Sequence, residues 1–200
     1  TDNFGRDILS RIIYGGRISL FVGFFSIFFA IIVGGILGAV AGYYAGKIDN
    51  ILMRTMDILM AIPGLLLAIT LAAAFEPGLR NVIIAIGVAE VPFYARILRS
   101  SVLSLKEQEF IEAARCIGAS DKRIILKHII PNCLAPIIVQ STLGMAGAIL
   151  SVASLSFLGL GIQPPTPEWG SMLSNARQHI LNYPHMVVFP GLAIMLTIFV

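Results

Sequence analysis

Few residues in this chain could do catalytic chemistry, and they are scattered. His128, His179 and His185 fall on different faces and sides of the expected elements without metal-ligand spacing, so no metal site is expected. Tyr43-Tyr44-Ala45-Gly46-Lys47 hints at a phosphate loop. However, Ala41 replaces its first glycine and Ile48 its Ser or Thr, which excludes ATP binding by that route and leaves the chain with no cofactor of its own. No nucleophile–base pair is suggested by spacing, and no catalytic residue is assigned. The informative pattern is Glu112-Ala113-Ala114, three residues, Gly118, twelve residues and Pro131. It lies in a polar, basic, helix-prone segment between two long apolar runs. Such a segment, from Lys106 to Pro131, reads as a surface displayed for another protein to grip.

Within it, Lys106–Ile117 is expected to be helical, with Phe110, Ile111, Ala113, Ala114 and Ile117 forming an apolar face rich in small residues. Ala113 and Ala114 suit close docking, whereas a solvated connecting loop would favour long polar side chains. Gly118 can take the left-handed conformation that ends a helix. Ser120 or Asp121 can cap a second helix to about Ile129, and Pro131 restarts the chain. The expected product is two short helices hinged at glycine.

Glu90 is a candidate of another kind. Eight residues into an apolar segment that begins near Val82, it lies about 12 Å deep. A charge near the bilayer midplane costs about 2.5–3.5 kcal/mol on insertion scales, so Glu90 should face a pathway or a partner; a neutral or helix-bonded glutamate near the interface is an equal alternative. Gln140 and Ser141 could line the same pathway, and helix–helix hydrogen bonds explain them equally well. Asp57, three residues after Arg54, reads as half of a local ion pair.

The elements that must position these residues follow from composition. The 200 residues are 57% hydrophobic and 12% charged, with mean hydropathy +0.89, outside the soluble globular norm. A helix needs about 20 apolar residues to cross a bilayer core. Five spans are expected: Ile18–Ala45, Leu52–Phe75 (kinked at Pro63-Gly64), Val82–Leu105, Cys133–Leu158, and one from His185 that reads as truncated. In the first, Gly34, Gly38, Gly42 and Gly46 recur every fourth residue and form a flat stripe for close helix packing, with a pore-lining stripe as the rival. The Pro-rich run 163–167 is extended backbone. After it, Trp169, Met172, Leu173, Ala176 and Ile180 share one helical face, predicting a short amphipathic helix at the outer interface with Trp169 as anchor. The start at Thr1 leads to the expectation of an internal fragment lacking at least one upstream span.

Of 14 Lys and Arg, seven lie between Arg96 and Lys127, and Lys47 and Arg54 join them on the same side, nine against five. That asymmetry places the 106–131 loop in the cytoplasm, with residues 1–17 and 163–184 outside, all within one transmembrane domain over 1–200. It also explains the basic balance without nucleic acid. Cys116 and Cys133 read as reduced thiols rather than a disulfide.

These residues carry a resemblance. Glu112, Ala113, Ala114, Gly118 and Pro131 match in register the EAA loop of binding-protein-dependent ABC transporter permeases; His128 and Ile130 depart from the generic Ile-x-Leu-Pro ending. The histidine, the stretch Thr1–Asp7 with Ser10-Arg11, and Leu155–Gly161 with Gln163–Gly170 are similar to the "C" subunit of the dipeptide/oligopeptide/nickel branch. The resemblance implies an all-α bundle of six spans in the full chain, five of them here. It implies a loop that inserts as a coupling helix into a cytoplasmic ATPase subunit, with Glu112, Ala113, Ala114, Gly118, Ala119 and Ser120 at the contact. It also implies a second permease subunit, two ATPase subunits that hold ATP and Mg, an extracytoplasmic substrate-binding protein, and a bacterial or archaeal inner membrane. The cargo would be di- or oligopeptides, or a nickel chelate. A gradient-driven secondary transporter or channel is the competing class.

Overall fold

In the computed structural model, which describes residues Thr1–Phe199, the chain winds into ten α-helices among the described residues. Their order is α1 (Ile8–Tyr44), α2 (Gly46–Met60), α3 (Gly64–Ala74), α4 (Leu79–Lys106), α5 (Glu109–Cys116), α6 (Asp121–Ile124), α7 (Ile130–Asn132), α8 (Leu134–Phe157), α9 (Trp169–Ala176) and α10 (His185–Phe199). No strand is found among the described residues. Three helices, α1, α4 and α8, are long and apolar enough to cross a membrane; α2 and α3 reach that length only together and are bent by 85° at their break, the geometry of a broken span or a re-entrant loop. The break is at Ala61–Pro63, where proline removes a backbone donor and glycine begins the next helix. α10, 15 residues long, is a shorter apolar helix.

α1 begins ten residues before the expected span. Asp7 accepts the Ser10 backbone N–H at 2.7 Å, an N-cap bond that starts the helix at Ile8. Upstream, Asp2 accepts the Phe4 and Arg6 N–H groups, both at 2.9 Å, and the Arg6 Nε–H at 2.6 Å, closing a turn around Gly5. At 37 residues α1 is about 55 Å long, well beyond a bilayer core.

Contacts divide the chain into two units. One comprises Thr1–Ile27, Leu65–Gly87 and Leu143 onward; the other comprises Phe28–Gly64 and Val88–Thr142. In the first, Trp169, Met172 and Ala176 of α9 pack with Ile8, Ile149, Ala153, Met186 and Ile194. The sequence led us to expect Trp169 as an interfacial anchor; its side chain is instead only 6% exposed, packed among these residues. Its ring lies over Gly16, where a Cβ would stand 2.9 Å from Cζ2, and its Nε1–H donates to the Ile12 carbonyl at 2.9 Å. Glycine on α1 clears the slot that a side chain would close. Ile180 falls beyond α9, in a turn, and is exposed.

The α9 helix is capped by Glu168, which is completely buried. Its carboxylate accepts from Gly170 N–H and Ser171 N–H, each at 2.8 Å, and from the Ser19 hydroxyl at 3.2 Å. Glu168→Ala removes all three bonds at once, and leaving buried donors unpaired costs about 1–3 kcal/mol. The purified subunit should lose that much stability in thermal or denaturant unfolding, and an unchanged midpoint would contradict this role.

In the second unit α1 packs against α4 through glycine. A Cβ on Gly34 would stand 2.6 Å from the Val91 carbonyl, one on Gly42 2.9 Å from the Arg99 carbonyl, and one on Gly38 would overlap the Ala95 carbonyl. Gly46 is not part of this stripe. It lies past the end of α1 at φ 58° with open space around it, because the chain breaks at Ala45 to begin α2. Ala45 itself sits at φ 52°, ψ −160°, a region that essentially only glycine occupies, at a cost of roughly 1–3 kcal/mol. Ala45→Gly is expected to raise the unfolding midpoint of the purified subunit, whereas a lowered midpoint would show that Ala45 is unstrained.

Candidate functional site

The segment between α4 and α8 folds as two short helices on a shared core. Residues 107–108 separate α4 from α5, so the expected helix from Lys106 is broken there. α5 ends in a Schellman motif: Ala119 N–H donates to the Ala114 carbonyl at 3.0 Å and Gly118 N–H to the Arg115 carbonyl at 2.9 Å. Gly118 takes φ 80°, the left-handed turn the sequence anticipates. α6 follows from Asp121; Ser120 precedes it with extended backbone, but its hydroxyl makes no cap bond. Between α6 and α7 the chain widens into a π-turn, Ile125–Ile129. Pro131 supplies the reason: it has no N–H for the Lys127 carbonyl, and a wider turn accommodates the loss.

The core beneath this hairpin holds Ile111, Ala114, Ile124, Ile129, Cys133 and Ile137 against Ala39 and Tyr43 of α1 and Leu98 and Val102 of α4. Polar contacts fix its position. The Tyr43 hydroxyl donates to Asp121 at 2.6 Å, the Arg115 guanidinium stands 5.7 Å from the Tyr43 ring centroid, and Lys106 Nζ donates to the Tyr43 carbonyl at 3.4 Å. The end of α1 thus acts as a socket for the loop.

This arrangement divides the apolar face expected for α5. Ile111 and Ala114 point inward, and Ala114, expected at a partner contact, is only 5% exposed and packs on this core. Ala119 is half-buried and packs on the same core. Glu112, Ala113, Gly118 and Ser120 are exposed, together with Phe110 and with Ile117, which is 85% exposed. Phe110, Ala113 and Ile117 are spaced i, i+3, i+7, so they form one uncovered apolar edge on a helix whose other side is anchored.

Glu90, Gln140 and Ser141 are gathered by a residue that the sequence reading missed. Tyr94, one turn beyond Glu90 on α4, is fully buried, and its hydroxyl donates to the backbone carbonyl of Gln140 at 3.2 Å. Ser141 donates to the Ile137 carbonyl of its own helix at 2.6 Å. Glu90 is half-buried. Asp57 does not pair with Arg54: it meets Arg96 of α4 at 2.5 Å. Asp49 of α2 meets Arg99 of α4 through two bonds of 2.5 and 2.6 Å. A local pair at i, i+3 loses here to a partner on a packed neighbour, which periodicity cannot reveal.

Solved transporter chains share this all-helical fold. A chain of the MetNI methionine ABC transporter, in inward-facing crystals, superposes with a TM-score of 0.77 at 18% identity, covering 96% of this chain and 91% of that one. An amino acid ABC transporter solved with histidines gives 0.64 at 16% identity. Residues 32–200 match the family of binding-protein-dependent transport system inner membrane components, and the chain belongs to that family. Its apolar helices and this family make it a multi-pass membrane protein. It is 54% identical over 198 residues to the dipeptide transport system permease protein DppC of Alkalihalophilus pseudofirmus, which covers 99% of this chain. It is 51% identical over 197 residues to the glutathione transport system permease protein GsiD of Escherichia coli, which covers 98%. The chain spans 65% of the length of each of these relatives.

Proposed function

We propose that this chain is the permease subunit of an ABC importer, forming with a second permease subunit an ATP-driven path for di- or oligopeptides across the inner membrane of a bacterium or archaeon. The observation that carries the reading is the hairpin at 106–131: an anchored helix with an uncovered apolar edge, ended by a left-handed glycine. Docked in a groove of a cytoplasmic ATPase subunit, Glu112, Ala113, Gly118 and Ser120, with Phe110 and Ile117, would form the contact. Ala114 and Ala119 would act from beneath, by setting the height of α5 on its core.

ATP and Mg are held by two separate ATPase subunits. Their closure moves the docked helices, and because α5 and α6 share a core with α1 and α4, that motion reaches the spans directly. An extracytoplasmic binding protein delivers the cargo. A peptide cargo is supported by relatives named for dipeptide and glutathione transport, glutathione being a small peptide. In proteoliposomes holding the full-length subunit, its partner permease, the ATPases and the binding protein, dipeptide or longer peptide should accumulate with ATP. Nickel uptake alone would overturn the cargo; accumulation without ATP would overturn the importer.

A further inference from the structure

The unit that carries the hairpin also contains a cleft of 630 Å³, lined by Met53, Asp57 and Met60 of α2 and by Phe93, Arg96 and Ser100 of α4. Its charged lining is the Arg96–Asp57 pair, whose side chains are 50% and 49% exposed, together with Arg99. The neighbouring Arg99–Asp49 pair is more enclosed, at 34% and 12%, and braces α2 on α4. The Arg96–Asp57 pair is the more open of these two bridges between α2 and α4. Arg96 stands ten residues from the Lys106 end of a helix long and apolar enough to span the membrane, about 15 Å along its axis. A charge pair held against lipid would be costly, so such a pair faces water or protein. Its volume falls inside the roughly 300–1,000 Å³ range of ligand sites, and its mouth is open to the surface.

We propose that this cleft is a station on the translocation path, where Arg96 and Asp57 part to take the carboxylate and the ammonium of a passing peptide. The inference rests on the peptide-importer reading above. A zwitterion offers each side chain an opposite charge in place of the one it releases, so no charge is left unpaired during the exchange. Met53 and Met60, flexible and polarizable, can pack against differing peptide side chains, as an importer of varied peptides requires.

The test uses the complete assembly with Phe93→Cys in a Cys116→Ser background, probed with a membrane-impermeant maleimide. Labelling is expected, and a zwitterionic dipeptide present during ATP turnover should slow it about fivefold relative to ATP and binding protein without peptide. Arg96→Gln should abolish this protection and lower maximal dipeptide uptake about tenfold while binding-protein-stimulated ATP hydrolysis persists. Absent labelling, labelling indifferent to peptide, or wild-type uptake by Arg96→Gln would overturn the proposal. If Arg96→Gln does not assemble, the labelling with Arg96 intact decides alone. Failure of the importer reading looks different: the unaltered assembly would then show no ATP-dependent peptide uptake.

Discussion

Gly38→Leu is expected to abolish the folded subunit. A Cβ at position 38 already overlaps the Ala95 carbonyl and would stand 2.9 Å from Leu98 Cβ. The obstruction is backbone, which cannot rotate away as a side chain could. α1 and α4 must separate, and with them the core that joins Ala39 and Tyr43 to Leu98, Val102, Ile111 and Ala114. Overpacking of this kind costs about 3 kcal/mol or more when the neighbour is fixed, a large part of the total stability of a typical domain. A graded series gives the sharper test. Alanine should be worst at Gly38, intermediate at Gly34, milder at Gly42, and at Gly46 should cost only the roughly 1 kcal/mol of a strained left-handed position. Unfolding midpoints of the purified variants check the order, and equal effects at Gly38 and Gly46 would contradict the packing.

Gly118→Asp is expected to leave a folded, inserted subunit that no longer couples. Nothing lies within 4 Å of a Cβ at this position, so the local cost is the strain of φ 80° alone, about 1 kcal/mol. The carboxylate, however, would enter the docked surface without a partner. Burying an unpaired charge costs about 3 kcal/mol or more, equivalent to roughly a 100-fold loss of affinity. Co-purification of the ATPase subunit and ATP-driven uptake should both collapse, while the thermal midpoint of the subunit shifts little. Retained association would remove Gly118 from the interface. A collapsed midpoint would assign it a purely structural role.

The parts of this molecule legible in the sequence are those whose cause is local. Of the five expected spans, apolar run length located the three that are full-length helices, α1, α4 and α8; Pro63 set the break between α2 and α3, and Gly118 set the end of α5, each through the residue's own backbone or transfer chemistry. The glycine stripe was legible too, except at Gly46, where the four-residue spacing continues past the end of the helix. What was not legible depends on the neighbour. Ala114 and Ala113 are the same residue type side by side, and only the socket of Tyr43, Leu98 and Val102 decides which one turns inward. Trp169 carries the chemistry of an interfacial anchor, but two glycines on a helix some 150 positions earlier let it bury. Asp57 had a basic residue within reach on its own helix and took one on α4 instead.

The most direct test of the account concerns Ile117, 85% exposed at the tip of the hairpin. A photoreactive residue placed at position 117 of the full-length subunit, in the assembly with its partner permease and binding protein, should cross-link to the ATPase subunit in high yield. The cross-linked complex should hydrolyse ATP without completing uptake. Cross-links only to lipid, or to this chain itself, would contradict the claim that the hairpin carries the ATPase stroke into the membrane.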